Sequence, residues 1–397
     1  VTSFALTANA DAITGSAGND VIDGSTAGAL SVGDTINAGD GIDTLNATIN
    51  GTAPAQSATS LAGVEILNLT ATPNPASMAL TGVTGLTDIN NVSSASGASV
   101  TVSNLGTPVN STINGNSATT IGYTTAVTAA TALTDAATLT LNGSTAGSSY
   151  TAAGIELLTI NSTGSANTLT TLSAANTITA TITGDQDLTL GTVGGAILTT
   201  LNAADFAGTA LTVTAGSGTS AATDLVGVTI TGPSAATTTA TITAGANKDT
   251  ITLGAGTNIV VAGAGDDSIT SGAGTNTITS GAGNDAITLA GGTDTLRYAA
   301  TGAANADTVD GLTSSTVLAF NLGTAAVTGS ALANPGTFGT VQTGGTSPVL
   351  SNVGGAGTGT AIVFQAITPN ATATAGTVAA GSNVLGLNGA FTDGTAA

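Results

Sequence analysis

Residues 266–289 read DDSITSGAGTNTITSGAGNDAITL, and the same chemical types return at every ninth position. Asp and Asn alternate in one slot of this register, and a branched apolar residue follows each slot by two positions. The slots are Asp249, Asn258, Asp267, Asn276, Asp285 and Asp294. A nonapeptide register sustained over this length predicts stacked turns, each followed by a short strand.

Glycine pairs precede the slots and allow the tight turns that the repeat requires. They are Gly254 and Gly256, Gly263 and Gly265, Gly272 and Gly274, and Gly281 and Gly283. Such turns expose carbonyl oxygens, and the Asp carboxylate points at the same place. Ca²⁺ takes six or more oxygen ligands in flexible geometry, which carboxylates and carbonyls from adjacent turns can supply. The register therefore predicts calcium-binding turns, with the slot residues and these glycines as candidate ligands.

The alternation of acid and amide separates two edges of one predicted roll. If each nonapeptide makes one turn and one strand, neighbours on the same edge are about 18 residues apart. One edge then carries Asp249, Asp267 and Asp285, and the other carries Asn258, Asn276 and Asp294. We expect the charged edge to hold calcium. Asn both donates and accepts hydrogen bonds, so the second edge can close as a side-chain ladder without metal.

The N-terminus carries a shorter version of the register. Its slots are Asp11, Asp20, Asp34 and Asp43, with a short insertion around STAGA between the second and the third. The insertion predicts that Asp11 lies beside Asp34, and Asp20 beside Asp43, one coil apart. These four residues are candidate calcium ligands. The alternative interpretation is that each is an ordinary turn aspartate.

Charge is sparse and one-sided. The chain has 22 acidic residues against two basic ones, Lys248 and Arg297, and a formal net charge of −20. This balance excludes a basic nucleic-acid-binding surface. The absence of His and Cys excludes most acid–base and thiol chemistry. Clustered carboxylates without basic partners instead suggest bound cations. No apolar run approaches the length of a membrane helix, so we expect no transmembrane segment.

The composition favours β-structure, because Thr and branched apolar residues abound and aromatic residues are only 2%. We predict an all-β fold: a parallel β-solenoid or β-roll with nonapeptide repeats and a C-terminal β-domain. A β-sandwich is the alternative for the middle of the chain. The predicted domains are 1–47 (short calcium repeats), 48–240 (β-solenoid), 241–310 (nonapeptide β-roll) and 311–397 (β-rich domain). The register is expected to break after residue 297.

Residues 43–70 and 135–161 form a weak internal duplication, in which Glu65 and Glu156 occupy equivalent places. As a pair, the only two glutamates could suggest a glycosidase. We favour a structural role in which each satisfies a corner of its coil. A β-helix polysaccharide lyase needs a basic catalytic residue, and the chain has almost none to offer. We therefore expect no enzymatic activity.

The start FALTANADAITGSAGNDVIDG, the phrase SLAGVEILNLTAT and the tract GAGDDSITSGAGTNTITSGAGNDAITL resemble bacterial surface-layer proteins of the type I-secreted, RTX calcium-binding repeat class, of the Caulobacter type. The resemblance covers most of the chain. It implies Ca²⁺ as the ligand, an extracellular location on the cell surface, and self-association into a calcium-dependent lattice. In that family an N-terminal region anchors to cell-surface polysaccharide. No such region is recognisable here, and we expect the chain to be an internal or processed piece of a longer protein.

Two other classes stay open. An RTX-type adhesin or biofilm-matrix fibre would share this composition, and a two-dimensional lattice seen by electron microscopy would separate a coat protein from it. A secreted polysaccharide-active β-helix enzyme would need a groove with clustered carboxylates and a base, which the sequence does not offer.

Overall fold

The structure is a computed structural model, and it describes residues 1–49, 60–72, 75–80, 83–92, 94, 97–128, 134–216, 226–299, 306–311, 316–321 and 387–388. Within these residues every element is a β-strand except the one-turn helix α1 (Thr125–Thr128). Almost all strand pairs are parallel, so the predicted all-β parallel solenoid is confirmed. The chain divides into two compact units, Val1–Gly218 and Thr219–Ala397.

The first unit is built from short strands separated by turns. They are β1 (Thr2–Ala5), β2 (Ala12–Thr14), β3 (Asp20–Gly24), β4 (Thr35–Asn37), β5 (Thr44–Ile49), β6 (Ser60–Ala62), β7 (Ile66–Ala71), β8 (Ala76–Ala79), β9 (Asp88–Asn91), β10 (Ala98–Leu105), β11 (Asn110–Asn114), β12 (Ser117–Tyr123), β13 (Ala136–Asn142), β14 (Ser149–Ala152), β15 (Leu157–Thr163), β16 (Asn167–Leu169), β17 (Thr171–Ser173), β18 (Thr179–Gly184), β19 (Leu188–Val193), β20 (Thr200–Asn202) and β21 (Ala210–Ala215).

The strands of the first unit pair with strands one coil earlier or later, which is the defining connectivity of a solenoid. The longest ladder of this unit runs β1-β3-β5-β7-β9-β11-β13-β15-β18-β20. The remaining strands form the ladders β2-β4-β6, β8-β10-β12-β14-β17 and β16-β19-β21. The coils therefore stack their strands in register along the unit.

The second unit contains the nonapeptide region. Its strands are β22 (Val226–Thr231), β23 (Thr239–Thr243), β24 (Lys248–Thr252), β25 (Thr257–Ala264), β26 (Ser268–Thr270), β27 (Thr275–Ala282), β28 (Ala286–Thr288), β29 (Thr293–Ala299), β30 (Ala306–Asp310), β31 (Val317–Asn321) and β32 (Leu387–Asn388). Within this unit one ladder runs β22-β24-β26-β28-β30 and the other β23-β25-β27-β29-β31. Strand β32 pairs antiparallel with β30.

The predicted coil lengths are confirmed in both repeat regions. In the nonapeptide region, Ile251 pairs with Ile269, and contacts between successive coils join residues 18 positions apart. At the N-terminus, Val21 pairs with Thr44, and the corresponding contacts join residues 23 positions apart. The short insertion around STAGA therefore lengthens the coil without disturbing the pairing of its strands.

The apolar residue of each nonapeptide faces the interior. Ile251, Ile269 and Ile287 stack in register along one ladder, and each is at most 2% exposed. Val260 and Ile278 do the same on the other ladder. The residues between them face outward, following the period of two of a β-strand. Each buried side chain contributes about 1.5–3 kcal/mol, so the core of this unit is a repeated aliphatic stack.

No helix in the described part of the chain is long and apolar enough to cross a membrane. The predicted C-terminal domain, 311–397, falls almost entirely outside the described residues. The domain boundaries proposed at 47 and 240 stay predictions.

Candidate metal centre

The acidic edge of the second unit is a column of carboxylates, one in each coil. The backbone N–H of Asp249 donates to Oδ1 of Asp267 at 2.8 Å, and the N–H of Asp267 donates to Oδ1 of Asp285 at 2.9 Å. All three residues are at most 1% exposed. In both Asp267 and Asp285, Oδ1 thus holds the preceding coil in register by accepting its backbone N–H.

The second oxygen of Asp267 and of Asp285 is left over. Oδ2 of each residue is buried and has no hydrogen-bond partner, and the same holds for Oδ2 of Asp43 at the N-terminus. A buried carboxylate oxygen without a partner carries a large desolvation cost. Such an atom is stabilised by a bound cation or by a proton. We call these three residues the open aspartates.

Left-handed glycines lie four and two residues before each open aspartate. Before Asp285 they are Gly281 and Gly283, with φ of 111° and 141°. A Cβ at Gly281 would lie 1.7 Å from the carbonyl oxygen of Gly263, and a Cβ at Gly283 would lie 1.9 Å from that of Gly265. Both the left-handed φ and this close stacking require glycine. The glycines thus stack successive turns, with their carbonyl groups, directly upon one another.

The other two open aspartates repeat this pattern. Gly263 and Gly265, with φ of 117° and 130°, precede Asp267. At the N-terminus, Gly39 and Gly41, with φ of 101° and 127°, precede Asp43. The three open aspartates therefore follow the same type of turn in both repeat regions.

Four other predicted aspartates cap their own turns. Oδ2 of each accepts a backbone N–H from three or four residues before; the pairs are Asp11 with Thr7, Asp20 with Ser16, Asp34 with Ser31, and Asp249 with Gly245. In the three N-terminal pairs the Ser or Thr hydroxyl donates as well. The hydrogen bond from the backbone of Ser16 holds the pKa of Asp20 below its ordinary value. These contacts match the alternative interpretation of the sequence, the turn aspartate.

The structure also places the N-terminal pairs as the sequence predicted. The N–H of Asp11 donates to Oδ1 of Asp34 at 2.9 Å, and the N–H of Asp20 donates to Oδ1 of Asp43 at 2.6 Å. Each pair lies one coil apart. Among the four residues, only Asp43 combines this contact with an unpaired oxygen.

Burial raises the pKa of the carboxyls on the acidic edge. The pKa of Asp267 rises to about 7, chiefly through burial, with smaller contributions from the charges of Asp285 and Asp249. Burial also raises the pKa of Asp249 and that of Asp285. Without a cation, burial therefore favours the protonated form of these carboxyls. A divalent cation reverses this preference, because it stabilises the ionised form.

On the neutral edge, an amide occupies the centre of each turn. Nδ2 of Asn258 donates to the carbonyl oxygens of Gly254 and Gly256 at 3.0 and 3.3 Å, and to Oδ1 of Asn276 at 2.9 Å. The glycine carbonyls are thus satisfied by a nitrogen of the protein itself. The predicted amide ladder is confirmed, and it gives Asn258 a structural role.

The ladder continues into the next coil. Nδ2 of Asn276 donates to the carbonyl of Gly272 at 2.9 Å and to Oδ1 of Asp294 at 2.8 Å. The carbonyl of Gly274 accepts the N–H of Thr293. Oδ2 of Asp294 is buried without a partner, and burial raises the pKa of this carboxyl. Asp294 therefore ends the ladder as its only acidic member among the predicted slots.

The nine-residue register ends after residue 297, as predicted, but the column of aspartates continues with Asp307. The N–H of Asp285 donates to Oδ1 of Asp307 at 3.1 Å, 22 positions later, and β28 pairs with β30. The hydroxyl of Ser280 donates to Oδ2 of Asp307 at 3.0 Å, and burial raises the pKa of Asp307 to about 6. Because this coil has 22 residues instead of 18, Asp307 does not fall on a slot of the nine-residue register. The signal in the sequence is DTVDG at 307–311, which resembles DVIDG at 20–24.

The two glutamates lie at coil corners, as the sequence predicted. Oε2 of Glu65 accepts the N–H of Asp43 at 2.8 Å, and Oε2 of Glu156 accepts the N–H of Asp135 at 3.2 Å. Each glutamate therefore occupies the place that an aspartate fills in the nonapeptides.

The donor set of the acidic edge suits calcium. Among the residues that the structure describes, no three His, Cys, Asp or Glu side chains converge as a metal cluster. An ion at this edge would therefore be held by one or two carboxylates together with backbone carbonyls, which is a ligand set that Ca²⁺ accepts. The unpaired oxygens of Asp267 and Asp285, beside stacked glycine turns, fit such an ion.

Fold and site together define a parallel β-solenoid with calcium-type turns. Comparison with known families identifies the turns: the RTX calcium-binding nonapeptide repeat matches residues 7–26, 239–269 and 261–296. The chain thus carries RTX repeats, whose motif is a calcium-binding one. No curated protein and no solved structure matches the chain.

Proposed function

We propose that this chain is a structural protein of a bacterial surface layer, which folds fully on binding calcium outside the cell and assembles into a lattice. The observation that carries the proposal is the column of buried, stacked aspartates with unpaired oxygens on the acidic edge. Calcium bound there couples metal binding to folding, because the site exists only when the coils are stacked.

Charge supports a dependence on external calcium. A formal net charge of −20 with two basic residues makes chains repel one another at low ionic strength. Extracellular calcium modules have dissociation constants of about 10⁻⁴–10⁻³ M. Such weak sites stay empty inside a cell and fill outside it. Proteins with RTX repeats are typically secreted, which agrees with this order of events.

The outer faces of the coils offer surfaces for self-association. On β25, Ile259 and Val261 both point outward and are 40% exposed. On the two adjacent coils, the residues that pair with Ile259 are Thr241 and Thr277, which carry hydroxyl groups. Exposed carboxylates such as Asp310 can bind calcium between chains once the apolar faces meet. We propose that a second copy of the chain covers this face in the lattice.

A catalytic role has little support. The chain has no His and no Cys, and its two basic residues leave few groups to stabilise developing negative charge. The buried acids described above are engaged in coil contacts. We therefore propose a non-enzymatic role, with Ca²⁺ as the ligand and other copies of the same chain as the partner.

The proposal is tested by adding millimolar CaCl₂ to the soluble chain and following light scattering and negative-stain images, with MgCl₂ as the control. Two-dimensional arrays that form with calcium and dissolve with chelator are the expected result. Fibres without a planar lattice would contradict the coat and support an adhesin or matrix fibre. Monomers at every calcium concentration would contradict both.

A further inference from the structure

Two Asp–Glu pairs share one geometry, and neither of their glutamates occupies a slot of the nonapeptide register. In the first pair the N–H of Asp43 donates to Oε2 of Glu65, and in the second the N–H of Asp135 donates to Oε2 of Glu156. The partners lie 22 and 21 positions apart, which is one coil. The pairs occupy equivalent positions in the internal duplication of 43–70 and 135–161.

The backbone around the pairs is also equivalent. The carbonyl of Asp43 accepts the N–H groups of Glu65 and Ile66, at 3.2 and 3.0 Å. The carbonyl of Asp135 likewise accepts the N–H groups of the glutamate one coil later and of the residue after it, both at 3.0 Å. The duplication thus preserves a corner at which the carboxylate of a glutamate accepts the N–H of an aspartate from the preceding coil.

Each pair contains a carboxylate oxygen without a partner. Oδ2 of Asp43 and Oδ2 of Asp135 are both buried and accept no hydrogen bond. Asp43 is fully buried, and Glu156 is only 5% exposed. Their partners, Glu65 and Asp135, are half-buried. Two acids of like sign held one coil apart repel each other unless a positive charge lies near them.

The first unit supplies no basic side chain for this purpose. The only basic side chains of the whole sequence, Lys248 and Arg297, belong to the second unit. The compensating charge must therefore come from solution. Carboxylate oxygens with backbone carbonyls select a hard divalent cation such as Ca²⁺.

Glycines lie on both sides of the first pair. Gly39 and Gly41 give Asp43 the same left-handed turn as the open aspartates of the second unit. On the other side, Gly85 has a φ of 92°, and a Cβ there would lie 3.2 Å from Oε1 of Glu65. The absence of a side chain at Gly85 keeps the second oxygen of the glutamate accessible.

We propose that the pairs Asp43–Glu65 and Asp135–Glu156 each bind one Ca²⁺ ion, at sites where a glutamate replaces the aspartate of the nonapeptide. Neither glutamate lies in the segments that match the RTX repeat. The sites would extend calcium binding from the nonapeptide turns into the remainder of the solenoid. The proposal does not require the chain to form a lattice.

The test counts calcium ions bound per full-length chain by equilibrium dialysis with ⁴⁵Ca²⁺. The variant Glu65→Gln/Glu156→Gln keeps an oxygen that accepts the N–H of each aspartate but removes both negative charges. The control Asp88→Asn/Asp185→Asn removes two acids from half-buried and exposed positions. Far-UV circular dichroism of each variant with calcium verifies that the β-fold is retained.

We expect the glutamate variant to bind two ions fewer than the wild-type chain, each single substitution to remove one, and the control to bind the full number. Equal binding by the glutamate variant and the wild-type chain would overturn the proposal, since each pair would then share a proton instead. The variant Asp267→Asn/Asp285→Asn separates this outcome from failure of the proposed function. If the Asp267→Asn/Asp285→Asn variant loses ions while the glutamate variant does not, only the two Asp–Glu sites are disproved. If the wild-type chain binds no calcium, the proposed function is disproved as well.

Discussion

The backbone N–H of Asp267 donates to Oδ1 of Asp285 one coil later, while Oδ2 of each residue is buried without a partner. One oxygen of the carboxylate thus builds the solenoid and the other stays available. On the opposite edge an asparagine amide stands in place of the unpaired oxygen, and its nitrogen donates directly to a glycine carbonyl of the turn. The roll therefore combines an edge with unpaired carboxylate oxygens, at which we expect calcium to bind, with an edge closed by amides.

Replacing Asp267 by Asn should convert part of the acidic edge into the neutral type. The new amide can donate to the carbonyls of its own glycine turn, as Asn258 does. We expect calcium affinity to fall at least about tenfold, or 1.4 kcal/mol. The urea midpoint of the calcium-free protein should stay equal or rise, because a buried carboxylate has been removed. Calorimetric titration and urea unfolding with chelator measure the two effects.

The matched control is Asn276→Ala on the neutral edge. It leaves the carbonyl of Gly272 and Oδ1 of Asp294 without their donor. We expect the free energy of unfolding to fall by about 1–3 kcal/mol, the usual cost of unsatisfied buried groups, with little change in calcium affinity. Equal losses of calcium affinity in the two variants would show that the assignment of the edges is wrong.

Stability of the calcium-free protein should fall as the pH rises. The folded pKa of Asp267, about 7, lies above the unfolded value of about 3.9. A raised folded pKa stabilises the fold below the unfolded pKa, and this stabilisation is lost as the pH rises through the folded pKa. Urea midpoints in chelator should therefore decrease between pH 4 and 8, since this interval contains both the unfolded and the folded pKa.

Calcium should reverse this trend, since it binds the ionised carboxyls and its affinity grows as protons leave. The variant Asp267→Asn should show a weaker pH dependence in chelator than the wild-type chain. A calcium-free midpoint that rises with pH over the same range would contradict the buried, cation-dependent column.

Gly281→Ala should damage the acidic edge. The residue has a φ of 111°, and a Cβ there would lie 1.7 Å from the carbonyl oxygen of Gly263. A left-handed non-glycine residue costs about 1–2 kcal/mol, and the steric contact adds to it. Gly106→Ala is the control, because a Cβ at Gly106 meets nothing within 4 Å. Thermal unfolding with calcium should separate the two variants, and similar midpoints would be evidence against the stacked turns.

The double substitution Ile259→Thr/Val261→Thr tests self-association. It gives β25 the hydroxyl side chains that β23 and β27 already carry at these places, Thr241 with Thr243 and Thr277 with Thr279. We expect calcium binding to be unchanged and the calcium-induced light scattering to fall severalfold, because about 40% of each apolar side chain is exposed before assembly. Undiminished assembly of this variant would place the contact between chains elsewhere.

The nine-residue register was sufficient to predict the solenoid, the coil of 18 residues and the separation of the two edges. It also predicted the amide ladder, because Asn, unlike an ionised Asp, can both donate and accept hydrogen bonds at a repeated slot. The pairing of Asp20 with Asp43 followed from counting the insertion. These features depend on spacing, which a sequence contains in full.

Features that depend on conformation were missed. Asp307 escaped because its coil is longer and no longer follows the register, although its side chain joins the same column. The difference between Asp20 and Asp43 depends on φ at the residue four positions before, where Ser16 donates its N–H and Gly39 does not. Both residues fit the same repeat slot, so spacing alone cannot distinguish a capped aspartate from an open one.

The most direct test of calcium-dependent folding is hydrogen exchange of the full chain with calcium and with chelator. Amides of residues 249–289, which contain the acidic edge, should be protected with calcium and should exchange rapidly in chelator. Residues 98–105, in strand β10 of the first unit, provide an internal reference, since this strand pairs with β8 and β12 and contains no acidic residue. Protection of residues 249–289 that is the same in calcium and in chelator would contradict the account.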